Sequence, residues 1–144
     1  QRRCEMNLFE KHKPASLTLR LPWPPSVNNY WRSMVMKGRV QVYLSKLGKA
    51  YRKAVDEAVF MQPGTSDPLT GPLSVVITAH APTRRLYDLD NLCKSVLDGL
   101  GHANVYEDDS QIDDLHVLRG SVDPPAGHLD VRIETQETPQ RMLF

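Results

Sequence analysis

Leu17, Leu19 and Leu21 alternate with polar neighbours in SLTLRL (16–21), the period of a strand with one buried face. PWPPSVNNYW follows, and its prolines suit neither a helix interior nor a strand ladder. An ordered loop is expected there, with Trp23 and Trp31 as packing anchors. SMVMKGRVQVYL (33–44) predicts a flexible basic hairpin turning near Lys37–Gly38. Ser45 can cap a helix running to about Gln62, in which Leu47, Ala50, Tyr51, Ala54, Val55, Ala58 and Val59 recur at helical spacing. A turn-rich linker, PGTSDPLTGP (63–72), precedes the apolar run LSVVITAHA (73–81), which predicts a buried strand. Leu89, Leu92, Cys93, Val96, Leu97 and Leu100 form the stripe of a second helix over 89–100, with Gly101 as its stop. Two further strands are expected at about 113–119 and 129–135, joined by a Pro-Pro-Ala-Gly loop.

The order strand, hairpin, helix, strand, helix, strand, strand predicts one α/β (α+β) domain, a mixed sheet packed with two main helices. We place the domain at residues 16–136, with an N-terminal tail (1–15) and a C-terminal tail (137–144). The 144 residues, 40% of them hydrophobic, suffice for one core without disulfides or a structural metal. Apolar runs are short, so no membrane span is expected, and the first residues lack the apolar stretch of a signal peptide. Cys4 and Cys93 make no metal-type spacing, as expected of a reduced cytoplasmic chain. The five histidines are scattered without a zinc-protease pattern, and structural or exposed roles are expected for them. No P-loop, Rossmann glycine pattern or nucleophile elbow appears, so no organic cofactor is implied.

The net charge of +1 hides a strong asymmetry. Lys11 to Val55 contains no acid, whereas Lys94 is the lone lysine or arginine between Leu86 and Leu118, a segment crowded with aspartate. Arg32, Lys37, Arg39, Lys46, Lys49, Arg52 and Lys53, with Arg84 and Arg85 just ahead of the acidic segment, are candidate contacts to a nucleic-acid backbone. Tyr30, Trp31, Tyr43 and Tyr51 lie among them; stacking on unpaired bases is open to these rings, with the core the expected place for Trp31 and Tyr51.

In YDLDNLCKSVLDGL (87–100), Asp88 and Asp90 flank the inward-pointing Leu89 at a helix start, and Asp90, Lys94 and Asp98 follow one flank. Capping of the helix by these aspartates, with an Asp90–Lys94 pair, is one account of them. The second knot, VYEDDSQIDD, favours another. A return loop after the helix is expected to bring Asp108 or Asp109 back toward Asp88 and Asp90, making a hard-oxygen site for Mg²⁺ or Mn²⁺. Lys94 would balance charge or contact a phosphate. A hard cation beside a basic surface suits phosphodiester hydrolysis.

LPWPPSVNNYW, SKLGKAYR, RRLYDLDNLCKSVLDGL and VYEDDSQIDDL, in that order, resemble the RusA-type Holliday-junction resolvases of bacteria and their phages. The resemblance implies a small α/β homodimer that cuts four-way DNA junctions with Mg²⁺, or Mn²⁺ in its place, by paired symmetric nicks. It assigns Asp88, Asp90 and Asp109 to the metal and Lys94 to catalysis or phosphate contact, and leaves open whether Asp108 assists. It also implies a cytoplasmic, bacterial or phage-encoded protein. Two departures stand out: Leu86 and Tyr87 are uncharged where the family often carries a longer basic run, and the segment before Lys13 exceeds a minimal member. A non-catalytic branched or single-stranded DNA-binding protein and a flap or single-strand nuclease are the rival readings.

Overall fold

The computed structural model describes residues 15–62 and 67–136; most of the N-terminal tail, all of the C-terminal tail and part of the 63–72 linker lie outside the described residues. In chain order the elements are β1 (Ser16–Pro22), α1 (Val27–Tyr30), β2 (Trp31–Met36), β3 (Arg39–Leu44), α2 (Lys46–Phe60), β4 (Leu73–His80), α3 (Asp90–His102), β5 (Ile112–Arg119) and β6 (His128–Thr135). A 3₁₀ turn (Asp109–Gln111) precedes β5. Four strands form a mixed sheet in the order β1-β6-β4-β5; β6 is antiparallel to both neighbours, and β4 is parallel to β5. The expected α/β architecture is the one observed.

Alternation decides which sheet face is covered. Leu19 and Leu21, then Leu73, Val75, Ile77 and Ala79, then Leu129, Val131 and Ile133 are all buried. They share one core with Tyr51, Val55 and Val59 of α2 and Leu92, Val96 and Leu100 of α3. The intervening residues, among them Thr18, Arg20, Thr78, His80, His128, Asp130 and Arg132, occupy the opposite face and stay at least partly exposed.

β2 and β3 form a separate two-stranded ribbon. Its turn places Lys37 at φ +50° and Gly38 at φ +74°, the left-handed conformations that match a tight turn to the twist of the strands. Met34, Val35, Val40 and Val42 are exposed on it.

Several expectations need correction. The proline-rich loop contains α1, which opens with the amides of Asn29 and Tyr30 donating to the Ser26 carbonyl, both at 2.9 Å. Leu47 and Ala50 are exposed, because the buried side of α2 runs through Gly48, Tyr51, Val55 and Val59. Gly101 does not stop α3. The helix continues to His102 and the chain reverses at Asn104, φ +59°, a residue whose short polar side chain tolerates that region. Tyr30 lies wholly in the interior, against Trp31 edge to face at 5.1 Å. The expected cap is present: the Ser45 hydroxyl accepts from the Gly48 amide at 3.0 Å.

One polar network ties α2 to α3. Arg52 donates from Nε (2.8 Å) and Nη2 (3.0 Å) to the two oxygens of Asp98, and the Tyr30 hydroxyl donates to the same carboxylate. The helices approach closely beside it: a Cβ at Gly99 would sit 3.2 Å from a Val55 methyl. Burial works to raise the Asp98 pKa, but the hydrogen bonds from Arg52 and Tyr30 outweigh it and hold the carboxyl below its usual range. A carboxylate so depressed contributes stability in full above its unfolded pKa of about 3.9 and loses it as pH falls through the folded value. Asp98→Asn should therefore lower unfolding free energy at pH 7 by about 2 kcal/mol. In denaturant titrations across pH, the gap to wild type should close only below about pH 4.

Candidate active site

Asp88 and Asp90 are placed by the segment that leaves β4 and enters α3. Tyr87 anchors it. Trp23 meets the Tyr87 ring edge to face at 5.1 Å, the Arg119 guanidinium lies 4.4 Å from the ring centroid, and Arg119 Nη2 donates to the Tyr87 carbonyl at 2.7 Å. Arg119 is the last residue of β5, so this clamp fixes Asp88 at the C-terminal edge of the parallel strand pair. Neither Tyr87 nor Arg119 stood out in the sequence as a positioning residue.

The aspartates at the helix start are not spent on capping. Leu89 occupies the N-cap position and no side chain caps α3. Asp88 and Asp90 are exposed and, among the described residues, enter no ion pair; no pair joins Asp90 to Lys94, which is also exposed. Exposed carboxylates with free lone pairs are hard oxygen donors, the chemistry that suits Mg²⁺ or Mn²⁺.

The second acidic knot divides its labour. Asp108 caps the 3₁₀ turn by accepting from the Ser110 amide at 3.3 Å. Gln111 completes the box: its Oε1 accepts from the amides of Glu107 (2.8 Å) and Asp108 (2.9 Å), while its Nε2 donates to the carbonyls of Leu69 (3.0 Å) and Gly71 (2.9 Å). Asp114 accepts from the Ser74 hydroxyl at 3.4 Å and pairs with His116 at 2.9 Å. Asp109 is left exposed, with its carboxylate outside the capping contacts.

Asp109 is not brought back to Asp88 and Asp90 within the chain, contrary to the expectation from the return loop. It lines a cleft of about 300 Å³ with Arg52, Leu97, Asp98, Gly101 and His102, beside the last turns of α3. Asp90 is the first residue of that helix, and 13 residues separate its ends by about 18 Å. Asp88 is clamped at the C-terminal end of β5, whereas Asp109 precedes its N-terminal end. Two oxygens on one Mg²⁺ lie at most about 4 Å apart. Among the described residues, the histidine and acidic groups whose ligand atoms all fall within 4.8 Å of one another are His80, His128 and Asp130.

The basic residues divide in the same way. Arg32, Lys37 and Arg39 on the ribbon, Lys46, Lys49 and Lys53 on α2, and Arg84 and Arg85 ahead of Asp88 are exposed. None of them forms an ion pair among the described residues. Arg52 differs: it is half-buried and held by Asp98, not a free surface cation. Of the four aromatics, Tyr43 is the one exposed, on the ribbon; Tyr30 and Tyr51 are buried and Trp31 is half-buried.

The profile of the family described as Endodeoxyribonuclease RusA matches residues 22–134. The chain belongs to the RusA family. It is 40% identical over 118 residues to the crossover junction endodeoxyribonuclease rusA of Enterobacteria phage HK97, covering 82% of this chain and 93% of that protein. The crossover junction endodeoxyribonuclease RusA of Escherichia coli K12 is 35% identical over 116 residues, covering 81% and 92%. That of Enterobacteria phage 82 is 37% identical over 116 residues, covering 78% and 89%. The RusA-family match takes in α1 to β5 and so includes both acidic segments and the basic surface. No helix among the described residues is long and apolar enough to cross a membrane.

Because four hydrogen bonds converge on one amide side chain, Gln111→Ala should cost about 1–2 kcal/mol. Amide exchange at Glu107 and Asp108 should accelerate, while exchange in the middle of β4 stays slow.

Proposed function

We propose that this chain resolves four-way DNA junctions as a homodimer, hydrolysing phosphodiester bonds in a metal-dependent reaction at paired, symmetric positions. The observation that carries this reading is the pair of exposed carboxylates, Asp88 and Asp90, at the entrance to α3 in a chain of the RusA family. The names of the relatives supply junction cleavage as the activity to test.

Asp88 and Asp90 would hold Mg²⁺, or Mn²⁺ in its place. When bound, such an ion offsets charge on the scissile phosphate and lowers the pKa of water. The remaining roles belong to the chain itself. Lys94, one helical turn beyond Asp90 and exposed, would donate to a phosphate oxygen on which charge builds. Arg84 and Arg85 would grip the flanking backbone, and the cations of the ribbon and α2 would hold the junction arms without reading sequence. Arg52 holds the two helices in register instead.

The crossover bears on how the third carboxylate arrives. With Asp109 at the far end of α3 in its own chain, we infer that a site containing all three is completed by Asp109 of the partner subunit. Two-fold symmetry then makes two identical composite sites, one for each strand of a roughly two-fold junction.

Asp90→Asn and Asp109→Asn should each reduce cleavage of a synthetic four-way junction by on the order of 10²- to 10³-fold while leaving junction binding intact. If a site draws on both chains, co-refolding the two inactive variants restores one intact site per mixed dimer. Nicking should then recover to about a quarter of wild type, as single nicks rather than paired ones. Full cleavage by Asp90→Asn would leave a binding protein as the better reading, and preference for flap or linear substrates a different nuclease.

A further inference from the structure

The open face of the sheet carries a cluster that the nuclease reading does not use. His80 ends β4 and His128 begins β6, and the two are direct partners in the antiparallel register. Their rings stack with centroids 4.5 Å apart and planes 19° from parallel. Asp130, two residues beyond His128, lies on the same face. Its Oδ2 is 3.3 Å from Nε2 of His80 and 3.3 Å from Nε2 of His128.

The outer nitrogens orient these rings. His80 Nδ1 lies 2.8 Å from the Ser121 carbonyl, and His128 Nδ1 lies 2.6 Å from Oδ2 of Asp123. Both partners are acceptors and favour the tautomer with the hydrogen on Nδ1, although the Ser121 hydroxyl also lies 3.4 Å from His80 Nδ1. In the neutral rings, two Nε2 lone pairs then face the Asp130 carboxylate. Three acceptors pointing into one space repel unless a proton or a metal cation lies between them. A carbonyl or carboxylate behind Nδ1 with Nε2 turned inward is the arrangement that orients imidazole for metal.

We propose that His80, His128 and Asp130 bind one divalent transition metal of the zinc class, at a site separate from the aspartates of α3. Zinc accepts imidazole nitrogen and carboxylate oxygen at about 2.0–2.2 Å, so neighbouring donors in a tetrahedral site lie about 3.3–3.5 Å apart. The two nitrogen-to-oxygen separations, each 3.3 Å, match that edge. Magnesium prefers all-oxygen coordination and is disfavoured by the imidazole donors. The outer oxygen of Asp130 is engaged by Arg20 Nε at 3.2 Å, leaving Oδ2 for the metal and a fourth position open. The metal would join the end of β4 to the start of β6, and through Asp123 and Ser121 to the loop between β5 and β6. Its role would be a clamp on that edge of the sheet.

The test uses untagged, chelator-treated full-length chain. Titration with Co²⁺ should give the strong visible absorption of tetrahedral coordination, saturating at one equivalent and displaced by Zn²⁺ but not by Mg²⁺. His80→Gln, His128→Gln and Asp130→Asn should each weaken Zn²⁺ binding in calorimetry by at least about tenfold, as should Asp123→Asn. Asp90→Asn should leave it unchanged. Nitrogen-15 spectra of the wild-type histidine rings need no variant: Zn²⁺ should shift Nε2 of His80 and His128 and spare His102 and His116. Loss of binding in Asp90→Asn with retention in His80→Gln, or equal shifts at every histidine as adventitious surface binding produces, would overturn the proposal.

Discussion

The parallel pairing of β4 with β5 is the constraint from which the rest of this molecule's functional geometry follows. Parallel neighbours need a crossover that returns the chain to the edge from which the first strand began. Here α3 is that crossover. Its start lies near the C-terminal end of the strands and its finish near their N-terminal end. Asp88 and Asp90 sit at the start and Asp109 beyond the finish, so the helix that connects the acidic segments also keeps them apart. A single copy offers two carboxylates at one edge and a third at the other. Two copies related by a two-fold axis can offer complete sets, which links the proposed dimer to the proposed chemistry.

The crossover must also be held at the right height, and the Arg52–Asp98–Tyr30 network does that. It joins α2 to α3 where Gly99 permits close approach to Val55. Removing either member of the ion pair leaves a half-buried charge without its partner, which costs more than the pair gains over an apolar replacement. The Tyr87–Arg119–Trp23 clamp plays the matching part at the other end of α3, holding the backbone from which Asp88 projects.

The strands and main helices could be read from the chain because burial on one side imposes periods of two and of 3.6. Leu17, Leu19 and Leu21 announced β1, and Leu92, Val96 and Leu100 announced α3. Where periodicity is silent, reading failed for physical reasons. Leu47 fits the helical repeat, yet Gly48 takes the buried place, because Tyr30 and Leu44 leave no room there for a side chain. Arg52 and Asp98 carry the charges of surface residues and are 46 positions apart, so nothing local marks them as interior partners. Asp108 and Asp109 were equivalent by charge; the capping hydrogen bonds separate them. The acidic composition of 88–109 pointed to hard-cation chemistry, but composition carries no information about which end of a helix each carboxylate occupies. His80 and His128 become neighbours only through sheet register.

A crystal of the protein grown with Mn²⁺ and read by anomalous scattering tests the central geometric claim most directly. A peak is expected beside Asp88 and Asp90 of one copy, with Asp109 of the partner subunit at the same ion. A peak held jointly by Asp88, Asp90 and Asp109 of one copy would contradict it, since α3 would then have to bend back on itself.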